Sequence, residues 1–137
     1  MSPESVGLAS DDLPHNSILL VEDEPLLAMD VESSLAAAGY RVVGPAATAA
    51  EALRLIREEN PDLAVLDLNL GKEMSYSVPD LLADRRIPFV ILSGHSRGMV
   101  PARHKKRPFL QKPYVVAILL RTIRETLNGS KAQSLPG

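Results

Sequence analysis

No cysteine occurs in the 137 residues, so neither a disulfide framework nor thiolate chemistry is available, a composition suited to a reducing compartment. Long apolar runs are missing as well. The longest, Ile18 to Val21 and Val115 to Leu120, fall far short of the roughly 18 residues that cross a bilayer, which argues against membrane insertion. The N-terminus carries Glu4, Asp11 and Asp12 where a secretory leader would have a basic start and an apolar stretch, so a cytoplasmic location is expected. Neither sign of charge dominates: the formal net charge is -2, and direct binding of nucleic acid is not expected. Internal repeats and low-complexity tracts are absent too.

What is present is enough for one folded unit. An apolar fraction of 45% suits a globular chain of this length with a single core. Residues 1–16 and 128–137 mix Ser, Pro, Gly and polar residues without a period and are expected to be flexible tails. Between them, residues 17–127 alternate short β-type runs with helical patterns, the pattern of a parallel sheet covered on both faces. Strands are expected at Ser17–Val21, Tyr40–Val43, Leu63–Leu66, Phe89–Leu92 and Phe109–Gln111. The first helix, from Pro25, places Leu26, Leu27, Met29, Val31, Leu35 and Ala38 at helical spacing and stops at Gly39, a suitable left-handed cap. Thr48 with Glu51 forms a capping box for the second, which Asn60-Pro61 ends. A short third helix covers Val78 to Ala83, and a last one Tyr114 to Leu127. The stretch His95 to Pro108 holds Gly98, Pro101 and Pro108 with little periodicity, so a loop with at most a turn of helix is expected there.

Acidic residues follow two different strands: Glu22 and Asp23 the first, Asp67 the third. In a doubly wound sheet of order 2-1-3-4-5 those strands are neighbours, and ligands bind beyond their carboxyl ends. Three carboxylates converging there call for a cation, and an all-oxygen site with room for water suits Mg²⁺ better than Zn²⁺. Ser93 ends the fourth strand and Lys112 the fifth, adding a hydroxyl and an ammonium to the same rim. A carboxylate nucleophile among a metal, a hydroxyl and a lysine suits phosphoryl transfer, with Asp67 as the acceptor.

The ordered set Leu20-Val21-Glu22-Asp23-Glu24, Ala64-Val65-Leu66-Asp67-Leu68-Asn69-Leu70, Ile91-Leu92-Ser93-Gly94 and Phe109-Leu110-Gln111-Lys112-Pro113-Tyr114 resembles the receiver domain of two-component response regulators, over about residues 17 to 127. The resemblance implies a flavodoxin-like (βα)5 fold, an α/β doubly wound parallel sheet. It implies that Glu22, Asp23 and Asp67 hold Mg²⁺ with the backbone carbonyl of Asn69, and that Asp67 is phosphorylated. Ser93 would bond the phosphoryl oxygens and Lys112 would pair with the phosphate. Phe109 would be the aromatic that turns inward as Ser93 moves, and the Lys112–Pro113 peptide would be cis. More narrowly, Pro88-Phe89-Val90-Ile91-Leu92-Ser93-Gly94 with a shortened stretch before Phe109 is similar to the alphaproteobacterial subgroup reading Pro-Phe-x-Phe-Ala-Thr-Gly, whose fourth helix is short or absent. Ile91, Leu92 and Ser93 stand where that subgroup has Phe, Ala and Thr.

On this reading the chain is a single-domain response regulator taking its phosphoryl group from a histidine kinase or histidine phosphotransferase. It would either switch binding of a downstream protein, as a monomer or a phosphorylation-dependent dimer, or serve as a relay or phosphate sink. It would not be an enzyme beyond Mg²⁺-dependent self-phosphorylation and autodephosphorylation. A phosphatase of the haloacid dehalogenase type is the competing enzyme class. That type is similar in its Asp nucleophile, but its second acid would fall at Asn69, which cannot donate the proton to a leaving group. A receiver-like binding module that is never phosphorylated has no need for the full acidic and lysine set. The basic stretch Arg97, Arg103, Lys105, Lys106 and Arg107 reads either as a solvated loop or as an attractor for an acidic surface. His15, His95 and His104 have no zinc spacing, though His95, two residues past Ser93, could tune a phosphoryl group's lifetime.

Overall fold

In the computed structural model, residues 16–70, 73–74, 76–94, 98 and 100–134 are described. Five parallel strands, β1 (Ser17–Val21), β2 (Arg41–Ala46), β3 (Leu63–Asp67), β4 (Phe89–Ser93) and β5 (Phe109–Gln111), form one sheet in the order 2-1-3-4-5. The helices α1 (Pro25–Ala37), α2 (Ala49–Glu59), α3 (Ser77–Asp84) and α4 (Val116–Ser134) cover it. β1, β3 and β4 are buried along their whole length, which is why they read as continuous apolar runs instead of alternating ones.

Alternate residues of each strand face opposite sides of the sheet and supply two cores. Leu19, Val21, Ala64, Leu66, Phe89 and Ile91 pack with Ala52 and Ile56 of α2 and Val78 and Leu82 of α3. On the other side, Ile18, Leu20, Val65, Val90 and Leu92 pack with Ala28, Val31 and Leu35 of α1 and Leu119, Ile123 and Leu127 of α4. Helix ends follow local chemistry. Gly39 takes φ +95° just past α1, and Asn60 takes φ +49° to close α2, the left-handed geometry both residue types tolerate. Thr48 Oγ1 accepts from the Glu51 amide at 3.1 Å; in return the Ala47 amide donates to Glu51 Oε1 at 3.0 Å, one residue earlier than a strict capping box.

Two local expectations are revised. α4 runs to Ser134, past the expected end at Leu127, because Gly129 alone does not stop a helix already docked on the sheet. β2 extends to Ala46 through a bulge opposite Leu19–Val21. There a Cβ on Gly44 (φ +95°) would sit 2.8 Å from the Ala46 nitrogen and 2.9 Å from the Leu20 oxygen, so only glycine fits. Pro45 follows on this edge strand, where a missing N–H is tolerated. In α1, Leu26 and Met29 point outward, 80% and 62% exposed, because the sheet takes only the Ala28, Val31 and Leu35 stripe. Between β4 and β5 the chain forms the 3-10 turn Ala102–His104, as the Pro and Gly content predicts, and Val100 and His104 are each 3% exposed. That segment is packed and not loose. The expected N-terminal tail through His15, together with His95 and Arg97, lies outside the described residues.

Candidate functional site

Register alone delivers the site. Val21 of β1 pairs with Leu66 of β3, so the next residues, Glu22 and Asp67, come level at the carboxyl edge. Asp67 in turn pairs with Leu92, and Ser93 with Gln111. The Lys112 amide donates to the Ser93 carbonyl at 2.8 Å, which brings the lysine to the same rim.

The side chains then meet. Glu22, Asp23 and Asp67 each offer a carboxylate oxygen, and these oxygens lie within 4.8 Å of one another. Lys112 Nζ donates to Asp67 Oδ2 at 2.8 Å and to Glu22 Oε1 at 3.1 Å. Glu22, Asp67 and Ser93 are each 3% exposed, whereas Asp23 is half-buried. The Glu24 amide donates to Glu22 Oε2 at 3.1 Å, holding that carboxylate in place. The Lys112–Pro113 peptide is cis. Asn69 follows Asp67 closely and pairs with Met74 in a two-residue antiparallel ladder, Asn69–Leu70 with Glu73–Met74. Phe109, at the opposite end of β5 from Lys112, pairs with Ile91 and packs on the core beneath α2 and α3.

Among the described residues, the Lys112 ammonium sits between two of the three clustered carboxylates. Burial, and next the neighbouring charge of Asp67, push the Glu22 carboxyl above its ordinary range against the opposing bonds from Glu24 and Lys112. Burial pulls the Lys112 ammonium down, but its bonds to Asp67 and Glu22 outweigh that and leave it raised. An all-oxygen donor set with surplus negative charge fits a hard divalent cation such as Mg²⁺. The site is therefore electrostatically frustrated without a cation.

A stability prediction follows. Without divalent metal at neutral pH, Glu22→Gln raises the denaturation midpoint, because an ionised group with a raised folded pKa destabilises the fold. That penalty falls away as pH drops through the raised pKa of Glu22 and vanishes below the ordinary glutamate range, so the two proteins converge in acid. Denaturant titration across pH checks this; equal midpoints at neutral pH would contradict it.

A carboxylate at the end of the third strand, an acidic pair beyond the first and a lysine beyond the fifth define an α/β protein with an acidic pocket at the carboxyl edge of its parallel sheet. The chain belongs to the response regulator receiver domain family, which matches residues 18–124. It is 32% identical to the phyllosphere-induced regulator PhyR of Methylorubrum extorquens over 80% of this chain and 43% of that protein. It is 27% identical to the chemotaxis protein CheY of Bacillus subtilis over 81% of this chain and 97% of CheY. Among solved structures, SdrG from Sphingomonas melonis Fr1 aligns with TM-score 0.72 and 40% identity over 82% of this chain and 97% of SdrG. The chain spans about half the length of the first curated relatives it matches. It is thus a receiver module of the kind used in two-component signalling. Among the described residues no helix is long and apolar enough to cross a membrane.

One feature lay beyond sequence reasoning. Asp80 of α3 binds both Arg103 and His104, and Arg107 lies over the Phe89 ring at 4.5 Å. Two members of the basic stretch are thereby engaged within the fold. Residues far apart along the chain carry no spacing signal for such contacts.

Proposed function

We infer that Asp67 accepts a phosphoryl group from a phosphohistidine on a histidine kinase or phosphotransferase, and that the chain acts as a switch or relay and not as an enzyme turning over free substrate. The observation that carries this is the Asp67 carboxylate held 2.8 Å from Lys112 inside the acidic cluster. A carboxylate oxygen of Asp67 attacks phosphorus while the P–N bond to imidazole breaks and its electron pair stays on that nitrogen. Lys112 and the Ser93 hydroxyl balance the charge on the transferring oxygens. Glu22, Asp23, Asp67 and the Asn69 carbonyl would hold Mg²⁺, which when bound neutralises phosphoryl charge. Asn69 in place of a second acid weighs against phosphatase turnover. A cytoplasmic setting and a downstream protein partner belong to the same reading, as does a role for Phe109 in reporting the phosphorylated state. PhyR from Bartonella quintana, a solved structure 25% identical to this chain, is described as an anti-anti-sigma factor, one form such an output can take.

A groove beside the rim supports a landing surface for the donor. A groove of about 370 Å³ runs between α1 and the start of α4, lined by Leu27, Val31, Pro113, Tyr114 and Val116, with Lys112 at its edge. The exposed large apolar side chains Leu26, Met29 and Val115 neighbour these lining residues in sequence. A mainly apolar groove that reaches Lys112, the partner of Asp67, suits the apolar face of a helix bearing the donor histidine. Met29→Glu should cut kcat/KM for phosphotransfer from a protein donor by about tenfold or more while leaving the rate with acetyl phosphate unchanged. A matched fall with both donors would place the defect in Asp67 chemistry instead of docking. Radiolabel transfer from a phosphorylated phosphotransferase is the direct test of the function itself, and a chain that never takes label sinks it.

A further inference from the structure

Between β4 and β5, where a fourth βα helix would cover the sheet, lies the turn Ala102–His104, and that turn is fastened to α3. Asp80 Oδ1 is 2.8 Å from His104 Nε2 and accepts from Arg103 Nε at 2.8 Å, while Oδ2 accepts from Arg103 Nη2 at 3.0 Å. The Arg103 guanidinium also lies 5.9 Å from the centre of the Tyr76 ring. The His104 ring meets Phe89 edge-on, with centroids 5.5 Å apart at 70°, and Arg107 covers the same Phe89.

The members differ in weight. Arg103 and Asp80 are half-exposed, 56% and 43% at the side chain, and an exposed pair of that kind contributes little by itself. His104 is buried at 3%, so its bond to the carboxylate is shielded from water and removing the acceptor strands a buried donor. A carboxylate partner sets the ring proton on Nε2; Nδ1 is buried with no partner, so Asp80 is the one polar anchor of this imidazole. The hydrogen bond from Arg103 is the main influence that lowers the Asp80 pKa, which keeps the acceptor charged.

Topology gives the contact its consequence. The chain leaving Asp67 enters α3 at Ser77, and the chain leaving Ser93 reaches β5 at Phe109 through this turn. Asp80 therefore ties together the two connections that leave the phosphoacceptor strand and the strand bearing Ser93. We propose that Asp80 is a positioning residue, clasping Arg103 and His104 so that the 100–107 segment moves as one body with α3 and transmits the state of Asp67 to the Phe109 edge.

The transmission half rests on Asp67 being the phosphoacceptor; the clasp itself does not. Hydrogen exchange on the full chain, with and without beryllofluoride plus Mg²⁺, separates the two. Asp80→Ala should raise exchange in 100–107 by about tenfold or more, with β1 and β3 unchanged, and should abolish beryllofluoride-induced protection there while the anion still protects the Asp67 edge. Asp80→Asn, which keeps an acceptor for Nε2, should restore most of both effects. His104→Phe, which keeps the ring against Phe89, should behave like Asp80→Ala. Unchanged exchange in 100–107, exchange rising throughout the domain, or failure of Asp80→Asn to rescue would each overturn the clasp. Wild-type protein that shows no beryllofluoride effect anywhere would instead reject the reading of Asp67 and with it the transmission half, leaving the clasp to be judged on the anion-free exchange.

Discussion

Asp67→Asn abolishes incorporation of label from acetyl phosphate and from a phosphohistidine donor, while the protein remains folded. The amide cannot act as a nucleophile toward phosphorus at a useful rate, since its lone pairs are delocalised and no anionic oxygen is present. The expected loss is complete within detection, roughly a thousandfold or more on the scale of nucleophile removal. Folding survives because Asn keeps the size and an acceptor for Lys112 Nζ, which retains Glu22 as its charged partner at 3.1 Å. Removing one of three clustered carboxylates also relieves repulsion that raises the Glu22 pKa. Intact-mass analysis after acetyl phosphate treatment, beside a circular dichroism melt, reads both halves. Label on the variant would move the acceptor elsewhere, and Glu22 and Asp23 would be the next carboxylates to replace.

Lys112→Ala has the second large effect, and it appears in two measurements. The ammonium bonds both Asp67 and Glu22; without it two buried carboxylates, each 3% exposed, face one another with only half-buried Asp23 beside them. Breaking one side of a buried pair costs about 3 kcal/mol, so in metal-free buffer the denaturation midpoint falls. Millimolar Mg²⁺ recovers part of that loss by supplying the missing positive charge. Phosphorylation by acetyl phosphate slows by about a hundredfold, the usual consequence of deleting one donor to a transferring group. Lys112→Arg, with a longer fork, recovers the stability more fully than the rate. A variant with wild-type stability in metal-free buffer would show that the lysine does not balance these acids. A wild-type phosphorylation rate would remove it from the chemistry.

These two variants address a site whose members were readable in advance for a definite reason. A parallel sheet of order 2-1-3-4-5 makes strand ends equivalent to site positions, so Glu22-Asp23, Asp67, Ser93 and Lys112 could be assigned once each strand's last apolar residue was found. Which stripe of α1 meets the sheet was not legible, because α1 is apolar on more than one face and periodicity cannot say which stripe the sheet takes. The reach of α4 to Ser134 was missed because Asn128-Gly129-Ser130 has loop composition, and docking against the sheet overrides propensity.

The order of residues along this chain determined the strands, the acids at their ends and the lysine that answers them, because strand-forming runs and their flanking residues are local properties. The tertiary structure decided what locality cannot: that Lys112 bridges two carboxylates, that Leu26, Met29 and Val115 face outward, and that Asp80 reaches Arg103 and His104. Such contacts depend on register and on how helices settle over the sheet, and those are set by the packing of the whole core.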